Sequence, residues 1–257
     1  MKRTAQRNLP ALLSLLLVAG VGLGALAAPL PADPPASFFP AWVQSAKYNR
    51  PLSVLDTDGA LGRRNLHPKD LSLRDLALVH GHLCDGMVAA WVELGVALRT
   101  LFPDGIVDRT DLRAVSKNGA CWVDTVAWTT GARINHGTLM LDNSVGNGFI
   151  VQRLSTGVAV RVSLKPGVFP AELASLEDSI RSRRASQQAV LPADIDRVEE
   201  LATSFSQKLL ATPPEALVVV ETLSAFSFPK TSKDPVAARG DIINRDIPRT
   251  KAPHEMR

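Results

Sequence analysis

The sequence predicts an α+β domain in which helices pack on one face of a small mixed or antiparallel sheet. Two observations predict this class. Between residues 72 and 143 the patterns follow the order helix, helix, strand, helix, strand, and a hairpin pattern then covers residues 149–166. Helices that lie beside a small sheet in this way are typical of α+β domains. About 230 residues remain once the N-terminal segment is set aside, which suits one domain with a core of its own.

The N-terminal segment has the pattern of an export signal over residues 1–28. Lys2, Arg3 and Arg7 form a charged start, an apolar uncharged run follows, and Ala25–Ala27 provides the small residues of a cleavage site. We therefore expect a periplasmic or secreted protein with no membrane attachment after cleavage. The alternative is a retained N-terminal membrane anchor, because the apolar run is nearly long enough to span a bilayer.

The rest of the chain divides into three predicted parts. Residues 29–66 form a Pro-rich, extended leader, and residues 67–228 form the domain. Residues 229–257 mix charge, Pro and Gly without an apolar period, which predicts a disordered tail.

The domain begins with two predicted helices. Ser72 can cap the first helix, with Asp75 three residues later as the partner of a capping box, and Gly81 can end it in a left-handed turn. The second helix covers residues 85–102, where apolar side chains recur at helical spacing: Met87, Trp91, Leu94 and Leu98.

The remaining elements follow from shorter patterns. A strand is predicted from Leu112 to Ser116, a helix from Cys121 that ends at Gly131, and a second strand over residues 138–143. After the hairpin, two amphipathic helices are predicted over 169–188 and 192–212, and a last strand over 216–226.

Charge excludes nucleic acid as the expected partner. The chain carries a net charge of +4, and removal of the three basic residues of the signal would lower it to about +1. Single-strand binding proteins also place aromatic side chains among basic ones, whereas only 5% of this chain is aromatic and it has a single Tyr.

The strongest chemical signal is a cluster of rare residues at His80, His82 and Cys84. The chain has five histidines and two cysteines, so three of them within five positions stand out. Imidazole and thiolate are the ligands of zinc and similar late transition metals. Cys84 also begins the second helix, where the positive helix end is expected to lower the pKa of its thiol.

Cys121 has a parallel position at the start of a helix, where helical spacing brings Asp124 close to its face. If the two helices pack side by side, the two cysteines can bind one metal together with the histidines, or close a disulfide. His136 precedes a strand and is a further candidate for the same pocket, whereas Trp128 is expected to pack in the core. The chain has no nucleophile elbow, phosphate loop, dinucleotide fingerprint or H-E-x-x-H motif.

These residues resemble the FmdE family, which takes its name from a component of formylmethanofuran dehydrogenase. His80, Gly81, His82, Cys84 and Gly86 match the H-G-H-x-C-x-G start of the family pattern. The second part of the pattern is matched by Cys121, Asp124, Thr130, Gly131 and Gly137. The resemblance covers roughly residues 70–225.

The resemblance implies a fold of the kind also seen in the substrate domain of glyceraldehyde-phosphate dehydrogenase, a metal-binding cleft and a homodimer. The chain departs from the pattern at Asp85, where the family has Pro, at Ala132, where many members have a third Cys, and at His136, where Lys is usual. It looks like an exported variant without the family's C-terminal zinc ribbon, so a role with the cytoplasmic dehydrogenase is not expected.

Two functions follow as hypotheses. The first is an exported protein that binds a divalent transition metal, zinc being the first choice, through His80, His82, Cys84 and Cys121. Asp124 and His136 would be outer-sphere or alternate ligands, and the reaction and any small-molecule ligand stay open. The second is a thiol–disulfide or structural protein with a Cys84–Cys121 disulfide.

Overall fold

The structure is a computed structural model, and it describes residues 38–57 and 67–229. The predicted signal peptide, the first part of the predicted leader and the predicted tail from residue 230 lie outside the described residues.

A five-stranded mixed sheet forms one half of the core. Its strand order is β5-β4-β6-β7-β8. β5 runs parallel to β4, and the other neighbours are antiparallel. The strands are β4 (Leu112–Ser116), β5 (Leu139–Leu141), β6 (Gly148–Arg153), β7 (Ala159–Leu164) and β8 (Val218–Leu223). The predicted hairpin is thus the central β6–β7 pair.

A smaller sheet of three strands has the order β2-β1-β3. It contains β1 (Leu52–Leu55), β2 (Lys69–Leu71) and β3 (Ile106–Asp108). β1 pairs antiparallel with β2 and parallel with β3.

Seven α-helices complete the described part of the chain. They are α1 (Ala41–Gln44), α2 (Leu73–His80), α3 (Asp85–Leu101), α4 (Ala120–Thr130), α5 (Ala171–Ala185), α6 (Pro192–Ala211) and α7 (Pro214–Leu217). α3 packs on β6, β7 and β8, and α4 packs on β4. Nearly every residue of α3 is buried, which makes it the central helix of an α+β fold.

The sequence-based boundaries are confirmed where local chemistry determines them. The side chain of Ser72 accepts a hydrogen bond from the Asp75 N–H, and the Asp75 carboxylate accepts one from the Ser72 N–H. Gly81 (φ 97°) and Gly131 (φ 71°) end α2 and α4 in left-handed turns that glycine adopts at little cost.

The packed core begins earlier than the predicted start of the domain at residue 67. Residues 38–57 contain α1 and β1, and their apolar side chains belong to the same core as α3: Phe39, Val43, Leu52 and Val54. Four-residue elements are too short to show an apolar period, so the sequence alone predicts only extended chain in this part of the leader.

Within the described residues, no helix combines the length and the apolar character that crossing a membrane requires.

Candidate metal centre

Three helix ends bring the candidate ligands together. His80 is the last residue of α2, Cys84 is the N-cap of α3, and Cys121 lies in the first turn of α4. α4 packs against both α2 and α3. The left-handed turn at Gly81 reverses the chain between His80 and Cys84, so that both side chains can face Cys121.

The two sulfurs and one imidazole nitrogen form a compact triangle. The Sγ atoms of Cys84 and Cys121 lie 3.4 Å apart. Nε2 of His80 lies 3.8 Å from each of them. Both cysteines are free thiols in the structure, because 3.4 Å is far beyond the S–S bond length of about 2.05 Å.

The other nitrogen of His80 is held by Asp124. Its Nδ1 lies 2.7 Å from Oδ2 of Asp124. The His80 side chain is 4% exposed and that of Asp124 is 41% exposed. The carboxylate accepts a hydrogen bond from Nδ1–H, which leaves the lone pair of Nε2 directed at the two sulfurs. Metal-binding histidines are oriented in this way by a carboxylate on the second nitrogen.

His82 stands at the solvent side of the same cluster. Its ring centroid is 4.6 Å from that of His80. His80, His82 and Cys84 each offer one ligand atom, these atoms lie within 4.8 Å of one another, and the His82 side chain is exposed. His82 can therefore reach the cluster but is less constrained than the other three residues.

The two thiols share one proton. A hydrogen bond from the Cys84 thiol lowers the pKa of Cys121 to about 6, with His80 acting in the same direction. The hydrogen bond to Cys121 raises the pKa of Cys84, and burial adds to this effect. The expectation that Cys84 would be the thiolate is therefore wrong: it occupies the N-cap, but the charge next to it on Cys121 outweighs the helix end.

The donor set and its spacing fit a tetrahedral zinc ion. With Zn–S near 2.3 Å and Zn–N of 2.0–2.1 Å, a tetrahedron needs S–S and S–N separations of about 3.8 and 3.6 Å. The structure has 3.4 Å and 3.8 Å. Only small side-chain movements separate the two geometries.

The other candidates have different surroundings. His136 lies in the turn over residues 134–137, half-buried, and is not a member of the group around Cys84. Trp128 packs against the hydrophobic core, as predicted. Ala132, at the position of the family's third Cys, is fully buried and belongs to that core as well.

A neighbouring cleft is not predicted by the sequence patterns. It has a volume of about 610 Å³, and Gly86 belongs to its wall. A Cβ added at Gly86 would lie 3.3 Å from Sγ of Cys121 and 3.4 Å from the Trp122 ring. Gly86 therefore separates the cleft from the sulfurs. Glu93 also lines the cleft, and its position as the one acid inside an apolar helix was a signal available in the sequence.

Comparisons with known proteins agree with the motif. No curated protein matches the chain. A similar solved structure is that of an FmdE-like protein of the tungsten formylmethanofuran dehydrogenase type from Syntrophus aciditrophicus, with 16% identity and a TM-score of 0.37. The similarity covers 63% of this chain and 76% of that one. The family model FmdE, described as "Molybdenum formylmethanofuran dehydrogenase operon", matches residues 79–219. That match spans more than half of the sequence, and the chain belongs to the FmdE family.

Proposed function

We propose that this FmdE-family chain binds one divalent transition metal ion, zinc in the first place, through His80, Cys84 and Cys121. The observation that carries the proposal is the convergence of two sulfurs and Nε2 of His80, with Asp124 on the opposite nitrogen. Soft thiolate and imidazole ligands favour zinc over magnesium or calcium.

His82 is the proposed fourth donor. Because its side chain is exposed while His80 is nearly buried, the fourth position is the one that can exchange with water or a substrate. A zinc ion with three protein ligands and an exchangeable fourth position can polarise a carbonyl or lower the pKa of bound water. The role of this chain is to hold the thiolates and the His80 tautomer ready.

The first experiment measures metal content without a histidine tag. The purified protein should contain close to one equivalent of zinc, and Cys84→Ser, Cys121→Ser and His80→Ala should lose it. His136→Ala is the matched control and should keep it. Affinity should fall with acid, because thiol and imidazole must both be deprotonated to bind. Wild-type protein that stays metal-free after incubation with zinc under reducing conditions would contradict the proposal.

We further propose that the protein acts outside the cytoplasm. The supporting feature is the charged and apolar segment with Ala25–Ala27 at its end. N-terminal sequencing of protein from the periplasmic fraction should begin at Ala28 or a nearby residue. An intact Met1 in the membrane fraction would favour the anchor instead.

The second candidate function is a thiol–disulfide role, favoured by the 3.4 Å separation of two free sulfurs. A shift of little more than 1 Å would bring them to bonding distance. The two functions differ in a mass measurement on freshly isolated protein under non-reducing conditions. A mass lower by two hydrogens, together with insensitivity to chelator, supports the disulfide, and the full mass with bound zinc supports the metal.

A further inference from the structure

The cleft beside the metal centre contains a buried carboxyl that no described group satisfies. Glu93 is 2% exposed. Its Oε1 accepts a hydrogen bond from the N–H of Leu164 at 2.7 Å. Its Oε2 has no hydrogen-bond partner among the described residues. A buried polar atom without a partner costs about 1–3 kcal/mol, so a bound ligand that supplies the partner would recover that cost.

Burial determines the protonation of this carboxyl. It raises the pKa of Glu93 to about 8, although the Leu164 N–H and the charge of Lys117 oppose the shift. The acid is therefore largely neutral at pH 7. Because Oε1 accepts the Leu164 N–H, the proton resides on Oε2, which makes that atom a hydrogen-bond donor without an acceptor.

Two further donors line the same cleft. The ammonium group of Lys117 donates to Oδ1 of Asn147 at 2.5 Å and lies 3.4 Å from the centre of the Trp122 ring. An ammonium group has three donors, so Lys117 can still bind an acceptor. The Trp122 indole N–H is buried, and no described residue accepts its hydrogen bond.

The charge balance of the cleft favours an anion. Lys117, Lys165 and Arg181 line it, opposed by Glu177 and Asp178 when Glu93 is neutral. Arg181 is already paired with both of these acids, at 2.6 and 2.9 Å, which leaves a net positive charge at the lysines.

The size and the apolar walls indicate a small molecule. The volume of about 610 Å³ lies within the range of about 300–1,000 Å³ of small-molecule sites. Apolar surface comes from side chains on several elements: Ala89, Trp122, Leu164, Pro166 and Phe169.

We propose that this cleft binds a small organic acid, whose carboxylate accepts hydrogen bonds from Glu93 and Lys117 and whose apolar part lies against Trp122 and Phe169. An amine of the same shape would find donors where it needs acceptors. The proposal does not rest on the metal, since neither Cys84 nor Cys121 lines the cleft.

The test compares three probes of one size on the full-length, reduced and chelated protein: benzoate, benzyl alcohol and benzylamine. Dissociation constants are measured by calorimetry or ligand-observed NMR near neutral pH. Benzoate should bind at least tenfold more tightly than benzylamine, with benzyl alcohol between them. The reverse order, or no benzoate binding at millimolar concentration, overturns the proposal.

Variants assign the binding to the two donors. Glu93→Gln keeps an acceptor for Leu164 and a donor at the position of Oε2, so benzoate affinity should stay within about threefold of wild type. Lys117→Met removes the charge and should weaken benzoate at least tenfold while benzyl alcohol changes little. Lys208→Met, on an exposed position of α6, is the matched control and should not change benzoate binding. Equal benzoate affinity in Lys117→Met and wild type overturns the assignment.

Discussion

The buried acid of α3 makes the stability of the protein depend on pH in a direction opposite to most carboxylates. Burial raises the pKa of Glu93 in the folded chain from the ordinary 4.5 to about 8. Between these values the folded protein holds a proton that the unfolded chain has released. The free energy of unfolding therefore falls as pH rises through this window. Glu93→Gln keeps the shape and the Leu164 hydrogen bond but removes the titration.

The magnitude follows from the two pKa values. One pKa unit corresponds to about 1.4 kcal/mol, so the contribution of Glu93 to the free energy of unfolding decreases by about 1.4 kcal/mol per pH unit between roughly pH 5.5 and 7.5. The total over the window from 4.5 to about 8 is on the order of 5 kcal/mol. That is a large fraction of the stability of a typical domain.

The assay is urea unfolding of both proteins at three pH values across the window, with chelator and reducing agent present. All other groups titrate in both proteins, so the difference between the two free energies of unfolding isolates Glu93. Glu93→Gln should gain about 3 kcal/mol on wild type between roughly pH 5.5 and 7.5. A difference that stays constant within about 0.5 kcal/mol would refute the argument, because it would mean that Glu93 is solvated and ionised in the folded protein.

Four further substitutions test the site and its support. Gly86→Ala should reduce zinc affinity at least tenfold in a competition titration, because the added Cβ crowds a ligand sulfur at 3.3 Å. Gly95→Ala in the same helix meets only the flexible end of an arginine and should instead raise the free energy of unfolding by about 0.5–1 kcal/mol, with unchanged zinc affinity. Asp124→Asn should weaken zinc by about 10–100-fold, since it removes the charge that orients His80; unchanged affinity would assign Asp124 a solvent role. Ser72→Ala should lower the free energy of unfolding by about 1 kcal/mol through loss of the cap, and an unaltered urea midpoint would contradict the capping box as a source of stability.

The helices and strands that local chemistry determines were predictable from the sequence. The capping box of Ser72 and Asp75 and the glycines at 81 and 131 act within a few residues, so their effect can be read without knowing the fold. α1, β1 and β3 were not predicted, because three or four residues carry no periodic signal and owe their structure to partners elsewhere in the chain.

The candidate site divides in the same way. The sequence alone identified His80, His82 and Cys84 as one cluster, since a turn of five residues places them together, and it named Cys121 and Asp124 as partners. Only the tertiary structure decided that Cys121 lies 3.4 Å from Cys84 and that Asp124 faces His80.

The protonation of the groups also depended on packing. The helix start at Cys84 predicted a thiolate there, yet the sulfur brought beside it from 37 residues away takes the charge instead. Glu93 was visible as an acid in an apolar helix, but its neutral state and its cleft come from elements that join it only in the folded chain. Residue types and local turns are properties of the sequence. Distances between helices, and the desolvation that shifts a pKa, arise from packing between distant segments.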